Sequence, residues 1–471
     1  MSYANAVESL YSLGHELATQ PGTPRRKWEL AHMRTLCHAL GDPQSQFKSV
    51  LIAGTNGKGS TSATLASILN QAGLRTALYT SPHLVRVNER IQLSMANATA
   101  PVSLQPISDD DFARCYFRVD DTARRLVDDG QLPHPPSFFE VMTALAFLHF
   151  AESHAGIAIL EVGLGGRLDA TNIVEPLLSI LTDISLDHTE WLGNTITEIA
   201  REKAGILRPN GILVTLPQHP EANQAIGEAA VALNVRGINA ADYIPSRTSE
   251  RGHPEPDETT LSPATFRNRY VLNLLGEELP IDSPLYGQHQ QRNIALAIAA
   301  AIEICNTTSY NITGALISQG IHNTVWPGRL ELIPCQDKYV LLDVAHNPAG
   351  AWALRSILSH LPDELPRTLL FACLGDKPVD EITQILVPLF ERPGNHIVLT
   401  QVDNPRAAPV GKLLASVTAL CCEAVAEPDP AVALAQALAL TQAGGLVMAT
   451  GSVYLVGKIR SLILADEYTQ R

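Results

Sequence analysis

Apolar runs of five or six residues recur along the chain, each handing over to glycines or polar residues and then to a stretch of helical period. Ser49–Ala53, Thr76–Thr80, Gly156–Glu161, Leu177–Thr182 and Ile212–Leu216 have the length and continuity of strands buried on both faces. Ala4–Ala18 and Arg26–Leu40 precede the first of them as helices, and Ser60–Ala72, Asp109–Asp128 and Ser137–Ser153 lie between them. Val271–Leu274 completes the strands of this half. The pattern restarts after Trp326-Pro327-Gly328-Arg329, where Tyr339–Val344, Leu369–Leu374, His396–Thr400 and Leu446–Thr450 alternate with helices such as Ala349–His360. Such alternation predicts an α/β protein with a doubly wound parallel sheet and a second, smaller α/β unit. The expected division is residues 1–323, a linker at 324–330, and residues 331–471. Met95–Pro106 reads as a surface loop, and residues 246–265, rich in Pro, Ser, Thr, Glu and Arg, read as an exposed insertion.

Composition narrows the class. The 471 residues are 45% hydrophobic and 17% charged, a globular rather than a disordered balance. A formal net charge of −14 argues against nucleic acid as a partner and requires local positive groups for any acidic substrate. Seven scattered cysteines without a C-x-x-C pair indicate neither a zinc ribbon nor a disulfide framework. The N-terminal MSYANAVESLYSLGHE lacks the apolar core of a secretory signal, and no apolar run reaches membrane-spanning length. The expectation is a cytoplasmic protein with no membrane partner.

Candidate chemistry begins where the first strand ends. Gly54-Thr55-Asn56-Gly57-Lys58-Gly59-Ser60 joins that strand to a helix, the context in which glycines let successive N–H groups and a helix N-terminus point at one anion. Lys58 adds positive charge at the outer phosphates, and the Ser60 hydroxyl can hold Mg²⁺. The spacing is unusual, because an extra glycine precedes the hydroxyl. A plain strand–helix turn with incidental glycines is the simpler alternative, but three glycines, a lysine and a hydroxyl in seven residues favour phosphate binding.

In an open parallel sheet, ligands sit outside the carboxyl ends of the strands. Ser81, Glu161, Asp187-His188 and Asp343 all fall at such ends. Ser81 and Glu161 are oxygen ligands suited to Mg²⁺, and His188 is a nitrogen ligand for a second metal. Taken alone, Glu161 reads equally as a structural carboxylate and His188 as a turn cap. Lys203, beside Arg201 and Glu202, reads on its own as a surface lysine. Asn293 opens the helix Arg292–Glu303 and is either a helix-start residue or a contact to a base or ribose. Arg329 lies in the linker, where it meets a nucleotide phosphate or water, and Asp343-Val344-Ala345-His346-Asn347-Pro348 places its side chains at the cleft between the two units.

These segments together resemble the Mur ligase superfamily, and within it the folylpolyglutamate synthase/dihydrofolate synthase family. The matching stretches are AGTNGKGST (53–61), TSPHLVRVNERI (80–91), EVGLGGRLDATN (161–172), LDHTEWLG (186–193), REKAGI (201–206), PGRLE (327–331), DVAHNP (343–348) and GSVYLVG (451–457). The resemblance implies an N-terminal P-loop-type doubly wound parallel sheet domain plus a C-terminal Rossmann-like domain. It implies an ATP-dependent ligase that activates a substrate carboxylate as an acyl phosphate for attack by the amino group of L-glutamate. Folates, and also dihydropteroate, are the implied acceptors. Carried over by position, Thr55, Asn56, Gly57, Lys58, Gly59 and Ser60 bind ATP, with Asn293, Arg329 and Asp343 as further nucleotide contacts. Ser60, Ser81, Glu161, His188 and Lys203 build two Mg²⁺ sites, Lys203 as a carbamate, and a monovalent cation such as K⁺ is a further implied ion. Lys58, His188 and Lys203 are the implied catalytic residues. His346 and Ser452 match positions associated with glutamate. Phe138, Phe139 and Glu140, with Arg167, Leu168, Asp169 and Ala170, would take the pterin, aromatic faces stacking on it and Asp169 bonding its amino-pyrimidine edge. A monomer is implied. Pro24–Leu30 (PRRKWEL) departs from the I-D-L-G-L-like segment of bifunctional members, so the resemblance carries glutamate chain extension further than the dihydropteroate reaction. Two other readings remain open: a peptidoglycan-precursor ligase of the Mur type, and a P-loop nucleotide-binding protein that is not a ligase.

Overall fold

The computed structural model describes residues 2–13, 29–94, 103–245, 261–274 and 276–465. Eight strands, β1 (Lys48–Ala53), β2 (Thr76–Tyr79), β3 (Ile91–Leu93), β4 (Gln105–Pro106), β5 (Ile157–Glu161), β6 (Leu178–Leu181), β7 (Ile212–Thr215) and β8 (Arg236–Asn239), form one sheet in the order β4-β3-β2-β5-β1-β6-β7-β8. The run from β2 to β8 is parallel, and β3 and β4 add an antiparallel edge. β1 is central between β5 and β6, and five of its six residues are buried. That burial is why the strand reads as an unbroken apolar run rather than an alternating one. Helices Asp109–Asp128 and Phe138–Glu152 cover one face, and Lys58–Gln71 and Gln288–Thr307 the other.

A separate hairpin, β9 (Asn268–Leu274) with β10 (Glu277–Ser283), packs on the second of these faces. Val271–Leu274 therefore does not join the parallel sheet. Its strand alternates buried and open positions, as a sheet with one solvated face requires, and Gly276 at φ +84 turns the chain back on itself. The second sheet comprises β11 (Arg329–Cys335), β12 (Lys338–Asp343), β13 (Arg367–Phe371), β14 (His396–Leu399), β15 (Val425–Ala426) and β16 (Leu446–Thr450), in the order β11-β12-β16-β13-β14-β15. Only β11 runs antiparallel.

Several short or polar strands escape the apolar-run pattern: β3, β4, β8 and β11. β11 begins at Arg329, inside the stretch read as a linker. Gln105–Pro106 pairs with β3 at the sheet edge instead of remaining a loop. The helix carrying Asn293 starts at Gln288, so Asn293 sits in its second turn. The expected helices Ala4–Ala18 and Arg26–Leu40 appear as Tyr3–Ser12 and Leu30–Ala39, with residues 14–28 outside the described residues. Residues 95–102 and most of the insertion, 246–260, also lie outside them. No described helix is long and apolar enough to cross a membrane.

The two sheets are joined by close backbone packing. A Cβ added at Gly457, in the helix Val453–Leu464, would lie 1.9 Å from the carbonyl oxygen of Leu84 in the β2–β3 connection. Gly457→Ala is expected to lower the thermal midpoint by an amount equivalent to roughly 1–3 kcal/mol, despite alanine's better helix propensity. Gly227→Ala, in the helix Pro220–Ala232 with nothing within 4 Å, is expected to stabilise by about 0.5–1 kcal/mol. Equal midpoints for the two variants would contradict this packing.

Candidate active site

A cavity of about 700 Å³ opens between the carboxyl edges of the two sheets. Of the residues singled out from the sequence, only Arg167 does not line it.

The phosphate loop forms one wall. Its helix begins at Lys58, with Gly57 at φ +90 as the N-cap. Each glycine answers a different neighbour. A Cβ at Gly54 would fall 1.8 Å from Thr182 Oγ1, one at Gly57 2.2 Å from Asn293 Oδ1, and one at Gly59 2.6 Å from the Trp326 ring. The N–H groups of Thr55 and Asn56 donate to the Asp183 carbonyl at 2.9 and 3.2 Å, and Thr55 Oγ1 donates to the Ser185 carbonyl. Those groups anchor the loop to the end of β6 rather than facing the cavity with a free donor. Asp183 is itself held by Arg292, at 2.9 Å through Nε. Lys58 Nζ curls over the loop onto the Gly54 and Thr55 carbonyls, each at 3.1 Å.

Opposite the loop, Glu161 ends β5 with 4% of its surface exposed. Burial raises its pKa to about 7, against the pull of Lys58, the Ser81 N–H, Arg329 and Arg90. Ser81 N–H lies 3.3 Å from its carboxylate. Lys203 is also buried and donates to the Gly54 carbonyl at 2.7 Å. Burial, reinforced by Lys58, lowers its pKa to about 7. A lysine poised there is substantially a neutral amine near neutral pH, which is the form that captures CO₂ as a carbamate. His188 sits at φ +51, and burial lowers its pKa to about 3 despite Asp187, leaving a neutral imidazole with a lone pair to offer.

Among the described residues no group of three or more His, Cys, Asp or Glu side chains could hold a metal. The candidate donors are the buried Glu161 carboxylate, the Ser60 and Ser81 hydroxyls and the His188 imidazole, since Asp187 is engaged by Lys377 and Asp343 by backbone N–H groups. That sparse, oxygen-rich set fits Mg²⁺, which keeps waters and takes substrate phosphates as further ligands.

Asp187 bridges the two halves, a role that sequence reasoning missed. Its Oδ1 lies 2.7 Å from Lys377 Nζ, and its Oδ2 accepts from Asn347 Nδ2 at 3.3 Å. Asn347 also donates to Asn56 Oδ1 in the phosphate loop at 3.0 Å. Burial opposes the Asp187 charge, but Lys377, His188 and His346 outweigh it and hold its pKa well below the usual range. Lys377 carries no local signal in the sequence; only the approach of the second sheet gives it a partner.

Asp343, at the end of β12, accepts from the Leu330 and Ala345 N–H groups at 3.1 and 3.0 Å. A bulge between Arg329 and Glu331, with Leu330 at φ +51, turns Arg329 into the cavity beside Asp343 and Glu161. His346 Nδ1 contacts the Val344 carbonyl at 2.8 Å, and burial lowers its pKa to about 4. Ser452 caps the helix Val453–Leu464 through the Tyr454 N–H.

At the other end the lining turns apolar, with Leu30, Met33, Phe138, Phe139, Leu168 and Trp191. Phe138 stacks on Tyr11 at 5.7 Å, and the Phe139 ring lies over Gly163, where a Cβ would come within 2.5 Å. Three expectations for this end change. Arg167 turns away to pair with Glu202 at 2.9 Å. Asp169 spends both oxygens on its own loop, accepting from the N–H groups of Gly163, Leu164 and Thr171 and from the Thr171 hydroxyl, so its acceptor sites are filled internally rather than offered to a pyrimidine edge. Glu140 closes a capping box with Ser137, one oxygen accepting from both the Ser137 N–H and hydroxyl at 2.7 Å.

The buried groups carry a pH signature. His188 and His346 bind protons in the folded chain only near pH 3 and 4, against 6.5 for an ordinary imidazole, so below 6.5 the unfolded chain takes up protons that the folded chain refuses. Asp187 adds stability that is present above its ordinary value of 3.8 and is lost as pH falls below it. In the unfolding free energy of the ligand-free protein, read by urea titration, each imidazole is expected to subtract up to about 1.4 kcal/mol per pH unit below 6.5, while the Glu161 carboxyl, raised to about 7, works in the opposite sense between pH 7 and 4.5. His188→Gln should remove one of the two subtractions and so leave the variant, relative to the wild type, more stable at pH 4.5 than at pH 7, and a pH dependence identical to that of the wild type would refute the assignment.

Comparison with known proteins agrees with this geometry. Residues 135–301 match the Mur ligase middle domain and residues 328–453 the Mur ligase glutamate ligase domain. A dihydrofolate synthase/folylpolyglutamate synthase of Bacillus subtilis is 33% identical over 396 residues, which cover 80% of this chain and 82% of the relative. Mycobacterium tuberculosis folylpolyglutamate synthase, complexed with ADP and AMPPCP, superposes with a TM-score of 0.80 at 30% identity, over 93% of this chain and 96% of that one. E. coli FolC in complex with DHPP and ADP superposes at 0.77 with 25% identity, over 99% and 98%. The chain belongs to the folylpolyglutamate synthase/dihydrofolate synthase family of the Mur ligase superfamily.

Proposed function

We propose that the chain is an ATP-dependent ligase that joins L-glutamate to the carboxylate of a folate, extending its glutamate tail, and that dihydropteroate is a second acceptor. The observation that carries this reading is the single cavity that brings a phosphate loop, a buried carboxylate beside a poised lysine, and an aromatic apolar end within reach of one another. Relatives named for both activities, and a family structure holding DHPP and ADP, support the second acceptor.

A carboxylate is a poor acyl donor because oxide leaves badly, and transfer of the γ-phosphoryl group to it creates a good leaving group. ADP departs, the glutamate amine attacks the acyl carbon, and phosphate leaves as the amide forms. The protein's part is positioning and charge neutralisation. Gly57–Ser60 direct N–H groups at the phosphates, and Lys58 exchanges its carbonyl partners for phosphate oxygens. Asn293, from the helix Gln288–Thr307 on the first sheet, and Arg329, from the start of the second sheet, hold the nucleotide, and Phe138 and Phe139 stack on the pterin. Mg²⁺, when bound, neutralises phosphate charge, and Ser60, Ser81, Glu161, His188 and a carbamylated Lys203 are the residues to hold it at two sites. His346 and Ser452 face the incoming glutamate. One chain supplies every one of these groups, which suits a monomer of two domains divided at 324–330. Free cysteines among the described residues suit the cytoplasm, where K⁺ is at hand as a further ion.

ADP and phosphate should appear only when a folate and glutamate are both present; ATP hydrolysis at the same rate without folate would overturn the ligase reading. Turnover of a UDP-sugar peptide would move the chain to the peptidoglycan branch. Lys203→Ala is expected to lose activity by at least about a hundredfold and to regain part of it with added formate or acetate. Full activity in that variant would exclude the carbamate.

A further inference from the structure

Gly59, the extra glycine of the phosphate loop, has a backbone conformation open to any residue, since its φ lies outside the left-handed range that Gly57 occupies. Its need for glycine is steric. The Trp326 ring fills the place of a side chain: a Cβ would stand 2.6 Å from Cζ2, 3.0 Å from Cε2 and 3.2 Å from Nε1. Trp326 Nε1 is buried and has no hydrogen-bond partner among the described residues. A leucine would fill space without stranding a donor, so filling alone is a poor account of a flat aromatic ring here.

Trp326 also starts a short, braced path to the cavity. Pro327 stiffens the next step, and Gly328, at φ +72, donates its N–H to Glu331 at 2.9 Å and accepts from the Val344 N–H at 3.1 Å. Glu331 is held in turn by Arg460 at 3.0 Å. The next residue is Arg329, aimed into the cavity by the bulge at Leu330.

We propose that Trp326 is a positioning residue: its indole edge sets where the first turn of the phosphate-loop helix sits and ties that turn, through Pro327-Gly328, to Arg329. The two groups that meet the nucleotide from opposite sheets are thereby held in register by one side chain that does not line the cavity. This rests on the reading of the loop as a nucleotide site, and it adds a residue that neither loop motif nor strand-end position marks.

A double-mutant cycle tests it, with AMPPCP affinity measured by calorimetry, KM and kcat measured separately, and thermal midpoints of every variant. Gly59→Ala alone should weaken AMPPCP binding about tenfold, while in a Trp326→Leu background the same methyl should cost less than about threefold, because the wall is gone. Trp326→Leu alone should raise KM for ATP about tenfold with kcat at saturating ATP changed less than about threefold, and Trp326→Phe, which keeps an aromatic edge, should recover most of the loss. Equal cost of Gly59→Ala in both backgrounds, or a wild-type KM in Trp326→Leu, overturns the proposal. Wild-type protein that binds no AMPPCP overturns the nucleotide reading and the proposal together, whereas normal wild-type binding with an additive cycle overturns only the role of Trp326.

Discussion

Charged groups buried at the carboxyl edge of β1 must each face a compensating partner, and much of the arrangement around the cavity follows from that requirement. Glu161 and Lys203, both almost without exposure, have pKa values driven toward neutrality from opposite sides. Neither makes a direct ion pair among the described residues; backbone groups of Ser81 and Gly54 partner them instead. Two ionisable groups left so close to neutral are costly for stability, and such perturbed groups cluster at functional sites. Asp187 takes the other course and pairs with Lys377 across the two sheets, so part of the contact between the halves is itself a buried ion pair.

Steric constraints complement the electrostatic ones. Gly54, Gly57 and Gly59 are pressed by Thr182, Asn293 and Trp326, residues drawn from β6's end, a helix and the segment leading into β11. The loop's shape is thus imposed from outside as well as by its own turns. Gly457 against Leu84 is the same device where the helix Val453–Leu464 meets the β2–β3 connection, two backbones meeting without side chains between them. In an acidic chain, Lys58 and Arg329 keep local positive charge at the cavity, independent of the overall field.

Local patterning was enough to read the central strands, the phosphate loop and the strand-end positions of Ser81, Glu161 and Asp343, because burial on both faces and turn chemistry leave their mark within a few residues. Peripheral strands β3, β4, β8 and β11 were not legible in the same way: they are short or open to solvent, and their identity comes from pairing with a neighbour distant in sequence. The hairpin β9–β10 shows the converse, a strand correctly located and wrongly assigned to the main sheet, since register and sheet membership are not local properties.

The same division runs through the cavity. The sequence by itself determined the residue types and order of the motifs, and with them the family and the chemistry to look for. Only the tertiary structure decided which side chains have atoms left to offer. Asp169 saturates its oxygens within its own loop, Arg167 turns out to Glu202, and Thr55 anchors rather than presents. Lys377, Asn347 and Trp326 acquire their places only when the second sheet and its approach close over the first. A hydrogen bond or a steric wall belongs to two residues at once, and spacing along one chain specifies only one of them.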